Sequence, residues 1–235
     1  MSDNSSFMSR SSAKEGSFDA GLRSHMLRIY SRMSLGVLVT AIVSFFVGNS
    51  PELLQMLLGG PQKWIVILAP LAIVFFGFNP AKMSSNALRI SFLLLSAVYG
   101  VSFASIFALF TGESIAKAFF VAASMFAGLS LYGYSTKRDL SGMRSFLVMG
   151  MIGLIVLSLV NMFVESSLMG NVISAAGIIV FAGMTAWETQ NMKQIYSPRT
   201  DPEIASRISW MGALNLYISF IAMFQYVLHF MGNRQ

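Results

Sequence analysis

The sequence predicts an all-α integral membrane protein with seven transmembrane helices, and three observations carry that prediction. Of its 235 residues, 55% are hydrophobic and only 11% charged, against about 25% charged in an ordinary soluble domain. With a mean hydropathy of +0.65, the chain lacks enough polar surface to cover itself in water. The apolar residues gather in seven runs, at 33–47, 64–78, 90–110, 115–134, 146–164, 172–187 and 208–230. Each is near the roughly 20 residues that cross a hydrocarbon core as helix. The third observation is where the basic residues fall. Alternate connections and the N-terminal segment hold Arg10, Lys14, Arg23, Arg28, Arg32, Lys82, Arg89, Lys137, Arg138, Arg144, Lys193, Arg199 and Arg207. The others hold only Lys63, Lys117 and Arg234, a bias of thirteen to three. Because basic loops stay in the cytoplasm, the N-terminus is expected inside and the C-terminus outside.

The elements follow in order. Residues 1–20, "MSDNSSFMSRSSAKEGSFDA", are Ser-rich with few large apolar groups and predict a disordered cytoplasmic tail. The apolar run begins too late for a signal peptide, and no small-residue cleavage site follows it. Residues 21–235 form the membrane domain. At its start Leu22, Met26, Ile29 and Met33 recur at helical spacing with Arg23, Arg28 and Arg32 on other faces. That predicts a short interfacial helix leading into the first span, with His25 an interfacial residue. The first two runs are short and need their flanks to complete a crossing. In the third span Gly100, Ala104 and Ala108 make a small-residue stripe, and Ser124 with Gly128 repeats the spacing in the fourth. Small residues let helix backbones approach closely in lipid, so packing accounts for both stripes.

The sixth run raises a different question. Sixteen uncharged residues, 172–187, are followed by Glu188 while the helical pattern continues. An acid at that depth is costly and tends to face a polar interior or a pathway; the alternative is a charge at a helix end reaching headgroup water. Catalysis is not expected. The two histidines, His25 and His229, are far apart in sequence, and no G-x-S-x-G, H-E-x-x-H or phosphate-binding loop is present. Of the acids only Glu188 is close to hydrocarbon, whereas Asp139, Glu165, Asp201 and Glu203 fall in loops or at span ends. Cysteine is absent, so thiol chemistry and Cys-based metal sites are excluded. No metal site and no cofactor is expected. The net charge of +6 is spread over loops, which argues for lipid headgroups and not nucleic acid.

Four stretches carry a resemblance. "GLSLYGYSTKRDLSGMRSF" follows the fourth span, "FAGMTAWETQNMKQIY" lies in the sixth, and "GALNLYISFIAMFQYVLHFMGNR" forms the seventh, with "AGLRSHMLRIYSRMSLG" near the N-terminus. In that order they resemble bacterial members of the Bax inhibitor (transmembrane Bax-inhibitor-motif) family. The resemblance implies a central seventh helix enclosed by six others, in the bacterial inner membrane. It also implies a pH-sensitive calcium leak, gated by a hydrogen-bonded pair of acids on the sixth and seventh spans. Glu188 matches the sixth-span acid, in "TAWETQ" for the usual "TAYDTQ". The seventh span departs, with "LYISF" for the usual "LYLDF", so Ser219 stands in the second acid's place. A hydroxyl can hydrogen-bond to Glu188 but cannot share a titrating proton with it. At the end of the second span, where relatives carry an arginine able to pair with the acid, this chain has Asn79, with Lys82 one turn on. The gate expected from the resemblance is therefore Glu188, Ser219, Asn79 and Lys82, partly altered. The alternative it implies is a non-conducting modulator of a membrane-anchored ATP-dependent protease, engaged through the N-terminal tail.

Overall fold

A computed structural model describes the backbone of residues 3–233 and the side chains of residues 18–233. The chain is helical throughout: α1 (Asp3–Gly48), α2 (Pro51–Leu58), α3 (Lys63–Phe76), α4 (Ser85–Leu109), α5 (Gly112–Ser135), a 3-10 turn at Ser141–Met143, α6 (Arg144–Val164), α7 (Ser167–Ile195) and α8 (Pro202–Met231). The expected disordered tail falls mostly on residues whose side chains lie outside the described ones, and it stays an expectation.

Local chemistry sets where the helices start. The first N–H groups of a helix have no partner within it and need a side-chain acceptor. Ser84, Thr111 and Ser166 supply it for α4, α5 and α7, accepting from the N–H groups of Ala87, Ser114 and Met169. Asp201 caps α8 by accepting from Glu203 and Ile204, with Pro202 at the first helical position.

Among the described residues six helices are long and apolar enough to cross a membrane, or up to seven if the bent pair α2–α3 is one span. The second apolar run is where the expectation of a simple span gives way. α3 has only 14 residues, about 21 Å at 1.5 Å per residue, less than the roughly 30 Å hydrocarbon core. Its N-terminal flank is a separate helix, α2, bent from it by 78°. The break falls at Gly59, Gly60 and Pro61, where two flexible residues and a missing N–H donor end the helical ladder.

α1 corrects a second expectation. Residues 22–33 are not a separate interfacial helix but part of α1, and Leu22, Met26, Ile29 and Met33 are buried in the core. The stripe finds α4, α7 and α8 to pack on, so it turns inward instead of lying on headgroups. His25, expected at the interface, is buried with it.

α8 is the most enclosed helix, with 67% of its apolar window buried, whereas α6 has 11% and faces outward. α8 packs against α1, α4, α5 and α7, while α3 lies on α4 and α6 on α7. α6 reaches α8 as well, through a hydrogen bond between Ser158 and Tyr226. Close approach uses glycine where the sequence places one: a Cβ at Gly100 would come within 2.7 Å of Val43 Cβ and 2.9 Å of Thr40 O. Ala104, on the same stripe, is buried as well, but Ala108 is exposed. On α5 the expected stripe is the wrong one, since Ser124 and Gly128 are exposed. The buried face is Ser114, Ala118, Ala122, Phe126, Ser130 and Gly133, with Gly133 against the backbone of Ala186. Two parallel stripes of small residues satisfy a four-residue spacing, and they point to opposite sides of the helix.

Candidate functional site

The apolar run of the sixth span ends at Trp187, but α7 continues to Ile195. Glu188 is thus well inside the helix and not at its end. Nothing in "ETQNMKQI" breaks a helix, and Lys193 in the last turn suits the negative end of the helix dipole. Phe181, Met184, Thr185, Glu188 and Met192 recur at three- and four-residue intervals and are all buried, which turns this face toward the bundle.

Glu188 is 4% exposed and Ser219 1%. The Ser219 hydroxyl donates to Glu188 Oε2 at 2.8 Å across the α7–α8 contact. The carboxyl's surroundings are uncharged. Thr185 donates to the Phe181 carbonyl at 2.8 Å, and Thr189 reaches Ser130 of α5 at 3.4 Å. Among the described residues, neither Glu188 nor Ser219 lines any of five cavities found at the surface of the bundle.

The other two expected gate residues are elsewhere. Asn79 and Lys82 are exposed in the turn between α3 and α4, where the Asn79 N–H points to Met83 Sδ at 3.2 Å. The reason is packing: α3 lies on α4 and α2, away from α7 and α8. That turn is tied to α8 by other groups, Arg207 donating to the Pro80 carbonyl and Glu203 accepting from Ser85 N and Oγ at 2.6 and 2.7 Å. Lys193 donates to the Tyr134 carbonyl at 2.8 Å. Among the described residues, no Lys or Arg lies within ion-pair distance of Glu188, and Glu113–Lys117 is the ion pair present. A carboxyl group removed from water needs hydrogen-bond partners, and here a serine hydroxyl serves one of its oxygens without a cation.

Two arrangements escaped the sequence. Gln190 Nε2 donates to the Arg138 carbonyl at 2.7 Å, and its Oε1 accepts from Leu140 N at 2.8 Å. One amide thereby pins the whole α5–α6 connection to α7, joining two of the quoted stretches in space. The signal was present in "TAWETQ", two residues past the acid. The second arrangement is a neutral network between α1, α4 and α8. Thr40 Oγ1 lies 2.7 Å from Tyr217 Oη, 2.9 Å from the Ser96 carbonyl and 3.0 Å from the Gly36 carbonyl. Thr40 has a single proton to share among these acceptors, and either hydroxyl can donate in the Thr40–Tyr217 bond. Tyr217 is fully buried, with Phe92 and Tyr99 edge-on at 5.3 and 5.8 Å.

The sequence profile of the family described as "Inhibitor of apoptosis-promoting Bax1" matches residues 22–235. An uncharacterized protein of Rickettsia prowazekii is 38% identical over 226 residues, covering 95% of this chain and 95% of its own length. The inner membrane protein YbhL of Escherichia coli is 38% identical over 220 residues, covering 92% and 94% respectively. An uncharacterized membrane protein of Streptococcus pyogenes is 30% identical over 217 residues, covering 91% and 94%.

Proposed function

Because the chain belongs to the Bax inhibitor family, we propose that it is a non-enzymatic inner-membrane protein that lets calcium leak through its helical bundle. In this reading Glu188 and Ser219 form an altered gate, the N-terminus is cytoplasmic and the C-terminus lies outside. The observation that carries the reading is the buried Glu188 carboxyl, held by Ser219 across α7 and α8 without a cation. Ionisable groups within a membrane are costly and mark ion pathways and proton relays. A carboxylate that carried a permanent salt bridge would be occupied; this one is free to meet a passing cation once the helices part. Among the described residues no three acidic or histidine side chains gather, so calcium would meet one carboxylate on its way and not a resident cage. In this reading the enclosed position of Glu188 is the closed state of the pathway.

The departure at Ser219 shapes the expected regulation. Two carboxyls at this distance would titrate as a coupled pair, whereas one carboxyl against a hydroxyl titrates alone. Calcium entry is therefore expected to depend only weakly on pH between about 6 and 8. The test is calcium entry into proteoliposomes holding the unmodified protein, Ser219→Asp or Glu188→Gln. A steep, Glu188-dependent pH switch in the unmodified protein would show that Ser219 is not the lost partner. Absence of any calcium entry in all three would remove the leak itself. Orientation has its own check, since the chain has no cysteine: single cysteines at Ser5 and Gln235 are expected to label from opposite faces of the membrane.

A further inference from the structure

A second polar feature lies away from the Glu188 site, where α1 passes the connection between α7 and α8. A cavity of about 230 Å³ is lined there by Ser24, His25 and Arg28 of α1 and by Tyr196, Ser197 and Thr200 of the connection, among others. His25 is only 7% exposed, and its Nε2 is buried with no hydrogen-bond partner among the described residues. A buried imidazole nitrogen left unpaired costs free energy that a ligand would recover. The ring is held in place by Tyr196, with centroids 5.4 Å apart, and by a hydrogen bond to the Met192 backbone.

The rest of the lining has one electrostatic character. Arg28 is exposed at the cavity and makes no ion pair among the described residues. Ser24, Ser197 and Thr200 bring hydroxyls. No carboxylate lines the space; of the acids next to the α7–α8 connection, Asp201 caps α8 and Glu203 accepts from Ser85. A guanidinium, hydroxyl donors and an imidazole whose second nitrogen becomes a donor once an anion favours its protonation, around an acid-free cavity, match the oxygens of a phosphate.

We propose that this cavity binds a phosphate-bearing anion, from a lipid headgroup or from solution, with His25 as its inner contact and Arg28 as its outer one. Such an anion would tie α1 to the end of α7, the helix that carries Glu188 further along. The site stands independently of whether the bundle conducts calcium.

The test uses the full chain purified in detergent. Native mass spectrometry compares retention of phosphatidylglycerol with that of phosphatidylcholine bearing the same acyl chains. A parallel arm measures the thermal midpoint in inorganic phosphate against chloride at equal ionic strength. We expect preference for phosphatidylglycerol, stabilisation by phosphate, or both. Each should weaken about tenfold in apparent affinity, the equivalent of one charge-assisted hydrogen bond, in His25→Gln and Arg28→Gln. Arg23→Gln removes an exposed charge from the same helix without touching this cavity, and should change binding by less than about twofold. Phosphatidylglycerol preference without a phosphate effect assigns the anion to lipid, and the reverse assigns it to solution. Should His25→Gln not purify as monodisperse protein, Arg28→Gln carries the test alone. Failure of both probes to bind selectively overturns the proposal, and so does an equal loss in Arg23→Gln, which would reduce the effect to surface charge.

Discussion

Two polar nodes sit two residues apart on α8 and face opposite sides of it. Ser219 looks toward α7 and donates to Glu188; Tyr217 looks toward α1 and α4 and meets Thr40 beside the Ser96 carbonyl. Both are fully buried, yet their chemistry differs. The Tyr217 node is neutral and made of groups that are each other's ordinary partners, so it behaves as a polar fastening within a packed core. The Ser219 node holds an ionisable group against a hydroxyl, with no cation to match it. The first arrangement specifies which helices meet. The second stores a group whose charge can change, which a purely structural contact does not need.

The comparison is easiest to break through ion flux. Glu188→Gln is expected to lower calcium entry into proteoliposomes by about tenfold or more, the equivalent of about 1.4 kcal/mol, whereas Tyr217→Phe should leave it within about twofold. Equal losses in the two variants would mean that both nodes serve packing alone.

Ser219→Asp should sharpen the contrast by placing a second carboxyl beside Glu188. The pH dependence of calcium entry between about 6 and 8 is expected to steepen, because two adjacent carboxyls resist being ionised together and the second proton is held to higher pH. An unchanged slope would separate the pair from the regulation of the pathway.

Stability gives a smaller but cleaner measure. Ser219→Ala leaves a buried carboxyl without its donor and should destabilise by about 1–3 kcal/mol. Tyr217→Phe removes one neutral bond between helices, for which about 0.6 kcal/mol is typical in membranes. Thermal or denaturant unfolding in matched detergent checks the order, and a reversed ranking would place the larger strain at the neutral node.

The smallest effect is expected at Gly128. It faces outward with nothing within 4 Å of a Cβ built there, so Gly128→Leu should change stability by less than about 0.5 kcal/mol. Gly133→Leu would drive a side chain into the Ala186 backbone and serves as the contrasting control in the same unfolding assay.

The sequence by itself determined that the chain is helical and built for lipid, because composition and runs of about 20 apolar residues leave little alternative in a bilayer. It also singled out Glu188, since one acid after sixteen uncharged residues stands out against hydrocarbon, and it paired Glu188 with Ser219 through the quoted motifs. What it could not set was anything that depends on which surface a helix turns to its neighbours. A four-residue spacing is satisfied by both Ser124–Gly128 and Ser114–Ala118–Ala122, and only the position of α7 and α8 decides that the second is buried. Arginines beside His25 read as headgroup contacts until α7 and α8 cover the other face of that helix. Asn79 and Lys82 stand where the resemblance puts an arginine able to pair with the acid, but α3 packs on α4 and carries them away from it. Hydrophobicity is a property of each residue and can be read locally. Proximity across helices belongs to the packed bundle, where close approach and the pairing of buried polar groups choose one arrangement among several that the pattern allows.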